Sequence, residues 1–317
     1  MCDTLGVNVP PQLDTLIEIE LPAGDAVAVH RRRFVGEVGP HVVLVAGVRG
    51  DTPEGTRVLY TVGRHLESVA DRIVGTIDLY PCVNPLAAHL GARNWPGLDV
   101  DLNRRFPGRA DGHAPDRVAA ALVEAVRTAD QVVELRGGHP SFRQAPHARV
   151  AASSPLAAER AAQANVRALW KIEASPTPGT LESVLPDLIG LEGGAGNRLT
   201  DGVGLELGDG VLNLLAVMGV IPESDLPFHW AAIQRPLVVS DAEVHDVRTG
   251  RGGLFLPVLA CWAEVREGDV LGEVIEPISG VCLEAVRAPV AGRVLALREE
   301  PVVYPGNLVV RLAAAAT

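Results

Sequence analysis

The stretch Val42-Val43-Leu44-Val45-Ala46-Gly47-Val48-Arg49-Gly50-Asp51-Thr52-Pro53-Glu54-Gly55 constrains this chain most. Its first half is a β-branched run of the kind that fills a buried strand, and Gly47, Gly50 and Pro53 break it sharply. Val58, Leu59, Val62, Leu66 and Val69 then recur a helical turn apart, which predicts a helix from about 54 to 70. Strand, tight polar turn and helix are the layout in which α/β proteins present working residues.

The surrounding chain continues the alternation. Ile17-Glu18-Ile19-Glu20-Leu21 and Ala26-Val27-Ala28-Val29-His30 flank a Pro-Ala-Gly-Asp turn and predict a hairpin. Strands are predicted at Ile73–Tyr80, Gln131–Leu135 and Leu188–Glu192, and helices at 116–128, 155–168 and 207–219. A long irregular segment, 84–114, and a polar loop from Arg136 to His147 fall between them. This order predicts an α/β fold with a mostly parallel, doubly wound sheet over residues 1–230. From about 233 the texture changes to short β-rich pieces with Gly and Pro turns, which predicts a smaller all-β domain over 231–317. Its pattern echoes the hammerhead of lipoyl and biotinyl carriers. No lysine stands near Ala288–Val294 to be modified, so a lid or scaffold is the expected role.

Charge and composition exclude several classes of function. The 317 residues carry a formal net charge of −11 with no Lys/Arg cluster, so nucleic acid is not an expected partner. No apolar run reaches membrane-spanning length, and the first residues lack the charged and apolar regions of a signal peptide. The four cysteines lie far apart without a CxxC pair, so a cytoplasmic chain with incidental thiols is expected.

Polar groups gather at four predicted strand ends: Arg49 to Glu54, Asn84 to Arg105, Glu134 to His139, and Glu192 to Asn197. In an open α/β sheet these ends share one crevice. Asp101-Leu102-Asn103-Arg104-Arg105-Phe106-Pro107-Gly108 resembles the D-L-N-R-x-F-P-G signature of the succinylglutamate desuccinylase/aspartoacylase family, relatives of the zinc carboxypeptidases. The opening stretch resembles that family's G-x-H-G-x-E-x-x-G turn, and Asn84-Pro85 its N-P step. Val133 to Gly138 resembles its D-L-H-T-G, and Leu191 to Gly194 its E-x-G segment. The likeness runs from about residue 40 to the C-terminus.

In that family two histidines and a glutamate hold zinc, which activates a water for attack on an amide carbonyl. The resemblance puts those three positions on Arg49, Thr52 and Arg136. A guanidinium has no lone pair for a metal, and threonine is a poor zinc ligand, so neither zinc nor another cofactor is expected. The resemblance assigns acid/base work to Glu192 and carboxylate binding to Arg93, Asn103 and Arg104, with Asn84 in the same substrate-binding set. Arg49 and Arg136 would keep positive charge where zinc would stand and polarise a carbonyl.

Three functions remain open on these residues. The first, which the retention of Glu192 favours, is a zinc-independent enzyme acting on a small carboxylated, amino-acid-like substrate, by acyl or amide chemistry or by base-catalysed elimination or cyclisation, with the other two as alternatives. The second is a pseudoenzyme that binds a small ligand or a partner. The third is an amidohydrolase with a relocated metal, built from Glu134, His139 and a loop histidine such as His113 or His147. Edge strands of the β domain leave homo-oligomers open.

Overall fold

The computed structural model describes residues 11–173, 177–227 and 235–314. Strands β1 (Gln12–Glu20) and β2 (Ala26–Val35) form the expected hairpin, with Ile17 opposite Val29 and Glu20 opposite Ala26. Strand β3 (Glu37–Ala46) leads through the Gly47–Thr52 turn into α1 (Pro53–Ser68), and β4 (Val74–Tyr80) follows. Next come the short helix α2 (Pro85–His89), helix α3 (Ala114–Val126) and β5 (Gln131–Gly137). Strand β6 (Phe142–Ala151), helix α4 (Pro155–Ala161), strand β7 (Ala168–Ile172), helix α5 (Leu181–Val184), strand β8 (Ile189–Gly194) and helix α6 (Val203–Val217) complete the α/β part.

The neighbours β4, β3, β5 and β8 pair in parallel. Antiparallel partners flank them: β2 beside β4, and β6 beside β8. Burial on both faces explains the unbroken apolar run in β3, since alternate side chains enter different cores. Val42, Leu44 and Ala46 pack with Val58, Leu59, Val62 and Leu66 of α1 and with Leu207, Val211 and Leu215 of α6. Val43 and Val45 face the other way, onto Val118, Leu122 and Val126 of α3. The sheet is therefore mixed, with a parallel centre and helices on both faces. Each fully buried Leu or Val of α1 contributes roughly 1.5–3 kcal/mol relative to exposure.

Two local expectations are corrected. The polar segment read as a loop to His147 contains most of β6, of which Gln144, His147 and Arg149 serve the interior of a site while Arg143 stays exposed. The Ala-rich helix expected to reach 168 stops at Ala161, and β7 begins at Ala168.

Nine further strands follow: β9 (Leu237–Ser240), β10 (Val244–Arg248), β11 (Gly253–Pro257), β12 (Glu264–Val265), β13 (Val270–Ile275), β14 (Cys282–Arg287), β15 (Gly292–Arg298), β16 (Val302–Val303) and β17 (Leu308–Ala314). Strands β14, β13, β11 and β16 make a separate four-stranded sheet around Phe255, Leu271 and Val274. The others extend the main sheet, because β15 pairs antiparallel with β6 and β17 lies beyond it. The boundary expected near 230 lies outside the described residues. The β region buttresses β6, and Ser141 and Arg143 add ion-pair and hydrogen-bond contacts to Glu300 and Glu299.

Candidate functional site

The carboxyl ends of β3, β5 and β8 open onto a cavity of about 240 Å³. The turn after β3 is fixed by close packing. A Cβ on Gly50 would lie 2.1 Å from the backbone carbon of Ala87, so only glycine fits. Thr52 precedes the first residue of α1, yet its hydroxyl donates to the Arg49 carbonyl at 3.0 Å instead of capping the helix.

In-register pairing builds the centre of the site. Arg136 of β5 and His147 of β6 stand directly beside Glu192 of β8, one on each side. Arg136 donates through Nη1 to Glu182 at 2.7 Å and to Glu192 at 3.1 Å, and through Nη2 to Glu134. Burial opposes its charge, but Glu134 and Glu182 outweigh that and hold its pKa well above the ordinary arginine value. Arg149, stacked 5.3 Å from the Trp170 ring centre, donates to the same Glu192 oxygen at 3.2 Å. Burial pushes the Glu192 carboxyl up, and Arg149 and Arg136 overcome it to bring the pKa down to about 2. Burial lowers the pKa of His147, whose Nδ1 lies 2.8 Å from the Ala145 carbonyl and whose Nε2 is 3.9 Å from Glu192 Oε2.

A second cluster gathers around Asp101. Asp101 receives Arg49 at 3.3 Å and Arg93 at 3.2 Å, and its Oδ1 accepts the Asn103 N–H at 2.9 Å. Burial lowers the pKa of Arg49 against the pull of Asp101. Asn103 Oδ1 accepts the Leu181 N–H at 3.2 Å, which ties the D-L-N-R segment to α5 and so to Glu182. Arg104 donates to the Asn103 carbonyl at 2.7 Å and is the cavity arginine with no carboxylate partner among the described residues.

Of the residues singled out in the sequence, Arg49, Arg93, Asn103, Arg104, Arg136 and Glu192 line this one cavity. Asn84 does not. It is fully buried, and its Oδ1 accepts the Ala87 N–H at 3.2 Å as the N-cap of α2. Sequence reasoning missed Glu182 and Arg149, and took His147 for a loop residue although it lies inside β6. A larger hollow of about 500 Å³ near Pro40 and Asp130 lies at the amino ends of the strands, away from these groups.

The cavity does not fit zinc. The guanidinium groups of Arg49 and Arg136 offer no lone pair, and the Thr52 hydroxyl is engaged by its own turn. Among the described residues no three of His, Cys, Asp and Glu gather to hold a metal. His113, His139 and His147 do not converge: His113 precedes α3, His139 accepts the Ser141 N–H through Nδ1, and His147 is buried in β6 between β8 and β7. What the arrangement supplies is charge. Five arginines line the cavity against the carboxylates of Asp51, Glu182 and Glu192.

Comparison with known proteins bears on the family and the fold. Residues 38–217, more than half of the chain, match the succinylglutamate desuccinylase/aspartoacylase catalytic domain. The chain is 32% identical over 101 residues to the N-alpha-acetyl-L-2,4-diaminobutyric acid deacetylase of Halomonas elongata, and the match spans only 29% of that protein. It superposes on a succinylglutamate desuccinylase/aspartoacylase from Rhodobacter sphaeroides with a TM-score of 0.83 at 22% identity, covering 100% of this chain and 99% of that one. The product-bound ectoine utilization protein EutE (DoeB) of Ruegeria pomeroyi gives a TM-score of 0.80 at 20% identity, with 98% of each chain covered. The chain belongs to the succinylglutamate desuccinylase/aspartoacylase family.

Proposed function

We propose that this chain binds a small carboxylated amino-acid derivative without zinc, as a binding member of a family of amidohydrolase-like deacylases. One observation carries the reading: Arg136, which the sequence resemblance aligns with a metal-ligand position, is already committed to Glu134, Glu182 and Glu192. Zinc makes hydrolysis feasible by lowering the pKa of its water to about 7, and a guanidinium cannot do this. Glu192 is also a weak proton acceptor near neutrality, with its pKa at about 2. Arg104 remains to take a ligand carboxylate through two parallel N–H donors. A metal-free enzyme is the second reading, favoured by Glu192 Oε2, which faces His147 only at 3.9 Å.

Calorimetry with a panel of Nα-acetyl amino acids, with mass spectrometry of the same mixtures, tests the proposal. Saturable binding that Arg104→Leu weakens by about tenfold or more, with no acetate released, is the expected result. Deacetylation that Glu192→Gln abolishes would establish the second reading in its place.

A further inference from the structure

We infer that the ligand carries a cationic amine beside its carboxylate, and that Asp51, with Gln144, receives it. This rests on the proposed carboxylate-binding role of the cavity. Asp51 and Gln144 both line the cavity, and Asp51 is only 5% exposed. Asp51 Oδ1 and Gln144 Oε1 are buried and find no hydrogen-bond partner among the described residues. Among the described residues the other acids at the site are matched: Asp101 by Arg49 and Arg93, and Glu134, Glu182 and Glu192 by Arg136. Asp51 forms no ion pair with any described lysine or arginine, which makes it the exception.

An unpaired buried carboxylate is costly, so its presence needs a reason. The backbone supplies none. The turn is held by the Asp51 carbonyl, which accepts the Asn197 N–H at 2.8 Å, and by the Thr52 hydroxyl on Arg49. His139, the nearby imidazole, is no cation for it: burial lowers its pKa, and its Nδ1 accepts the Ser141 N–H. Gly138 makes room for Gln144, since a Cβ there would lie 2.7 Å from Oε1. A carboxylate and an amide oxygen in one cavity suit an alkylammonium, which brings a full charge and three N–H donors. Two such oxygens are too few to coordinate a hard metal cation. With Arg104 on the carboxylate, the preferred ligand is a diamino-acid derivative with one free amine.

The test compares two probes that differ only in that amine, Nα-acetyl-L-2,4-diaminobutyrate and Nα-acetyl-L-2-aminobutyrate. Wild-type protein is expected to bind the amine-bearing probe at least about tenfold more tightly, and Asp51→Asn to erase the difference while keeping the affinity for the other. Without ligand, Asp51→Asn is expected to melt at the same temperature as wild type or higher, because an unpaired buried charge is gone. Equal binding of both probes by wild type would overturn the inference and leave the carboxylate reading standing. Binding of neither would overturn both. A melting temperature well below wild type would show that the carboxylate holds the turn, and would overturn the inference independently of any ligand.

Discussion

Replacing Arg136 with methionine removes the cation at the centre of the site and leaves Glu134, Glu182 and Glu192 facing one another. The guanidinium is 11% exposed, so water cannot take over its role. Removing one partner of a buried ion pair costs roughly 3–5 kcal/mol, because the other charge stays buried. The Glu192 carboxyl gives a second route to the size of the effect. Its pKa is brought from 4.5 to about 2 against the opposing push of burial, a net preference for the charged form on the order of 3 kcal/mol, to which Arg149 and Arg136 contribute most. Urea unfolding at about pH 7.5 and about pH 4.5 measures the loss and its pH dependence. In the variant the carboxylates lose their cation, their folded-state pKa values rise, and they take up protons as pH falls through those values. The deficit against wild type is therefore largest near neutrality and smaller in acid. Adding Glu192→Gln should recover part of it. A deficit below about 1 kcal/mol, or one equal at both pH values, would refute the assignment of Arg136 as the internal counter-ion.

Two further outcomes follow from the same geometry. Glu192 has a depressed folded-state pKa, so its contribution is complete above about 4.5 and fades as pH falls towards about 2; the stability gap between wild type and Glu192→Gln, followed by urea unfolding, should close over that window. Asn84→Ala removes the α2 cap and should cost about 1 kcal/mol in the same assay, with ligand affinity unchanged by calorimetry.

The fold was legible where local pattern and burial agree. The β-branched run before Gly47 and the helical repeat after Pro53 both describe elements with a buried face, and both formed as read. Strand β6 was not legible, because Arg143, Gln144, Pro146, His147 and Arg149 look like loop chemistry. Gln144, His147 and Arg149 face the interior of the site and Arg143 pairs with Glu299, so alternation of apolar residues is not required. The D-L-N-R segment pointed to the site because its residue order is specific, and Arg49, Arg93, Asn103, Arg104, Arg136 and Glu192 all reached one cavity. Glu182 and Arg149 carry no such signal. Their partners Arg136 and Glu192 lie 46 and 43 residues away, so only the folded sheet brings them together. Asn84 stands outside the cavity lining for the opposite reason, since its neighbour Pro85 starts a helix that its Oδ1 caps. The β region offered turns and short strands but no register, and the β15–β6 pairing that joins it to the main sheet is long-range.

The central proposal is that the arginine-lined cavity, with Arg49 and Arg136 at the positions the resemblance aligns with metal ligands, is a carboxylate site that needs no zinc. The most direct measurement is calorimetric titration of Nα-acetyl-L-2,4-diaminobutyrate into chelator-treated protein whose metal content has been measured, repeated after adding zinc. The account predicts the same affinity in both titrations and no bound zinc. Binding or deacetylation that appears only with stoichiometric zinc would contradict it.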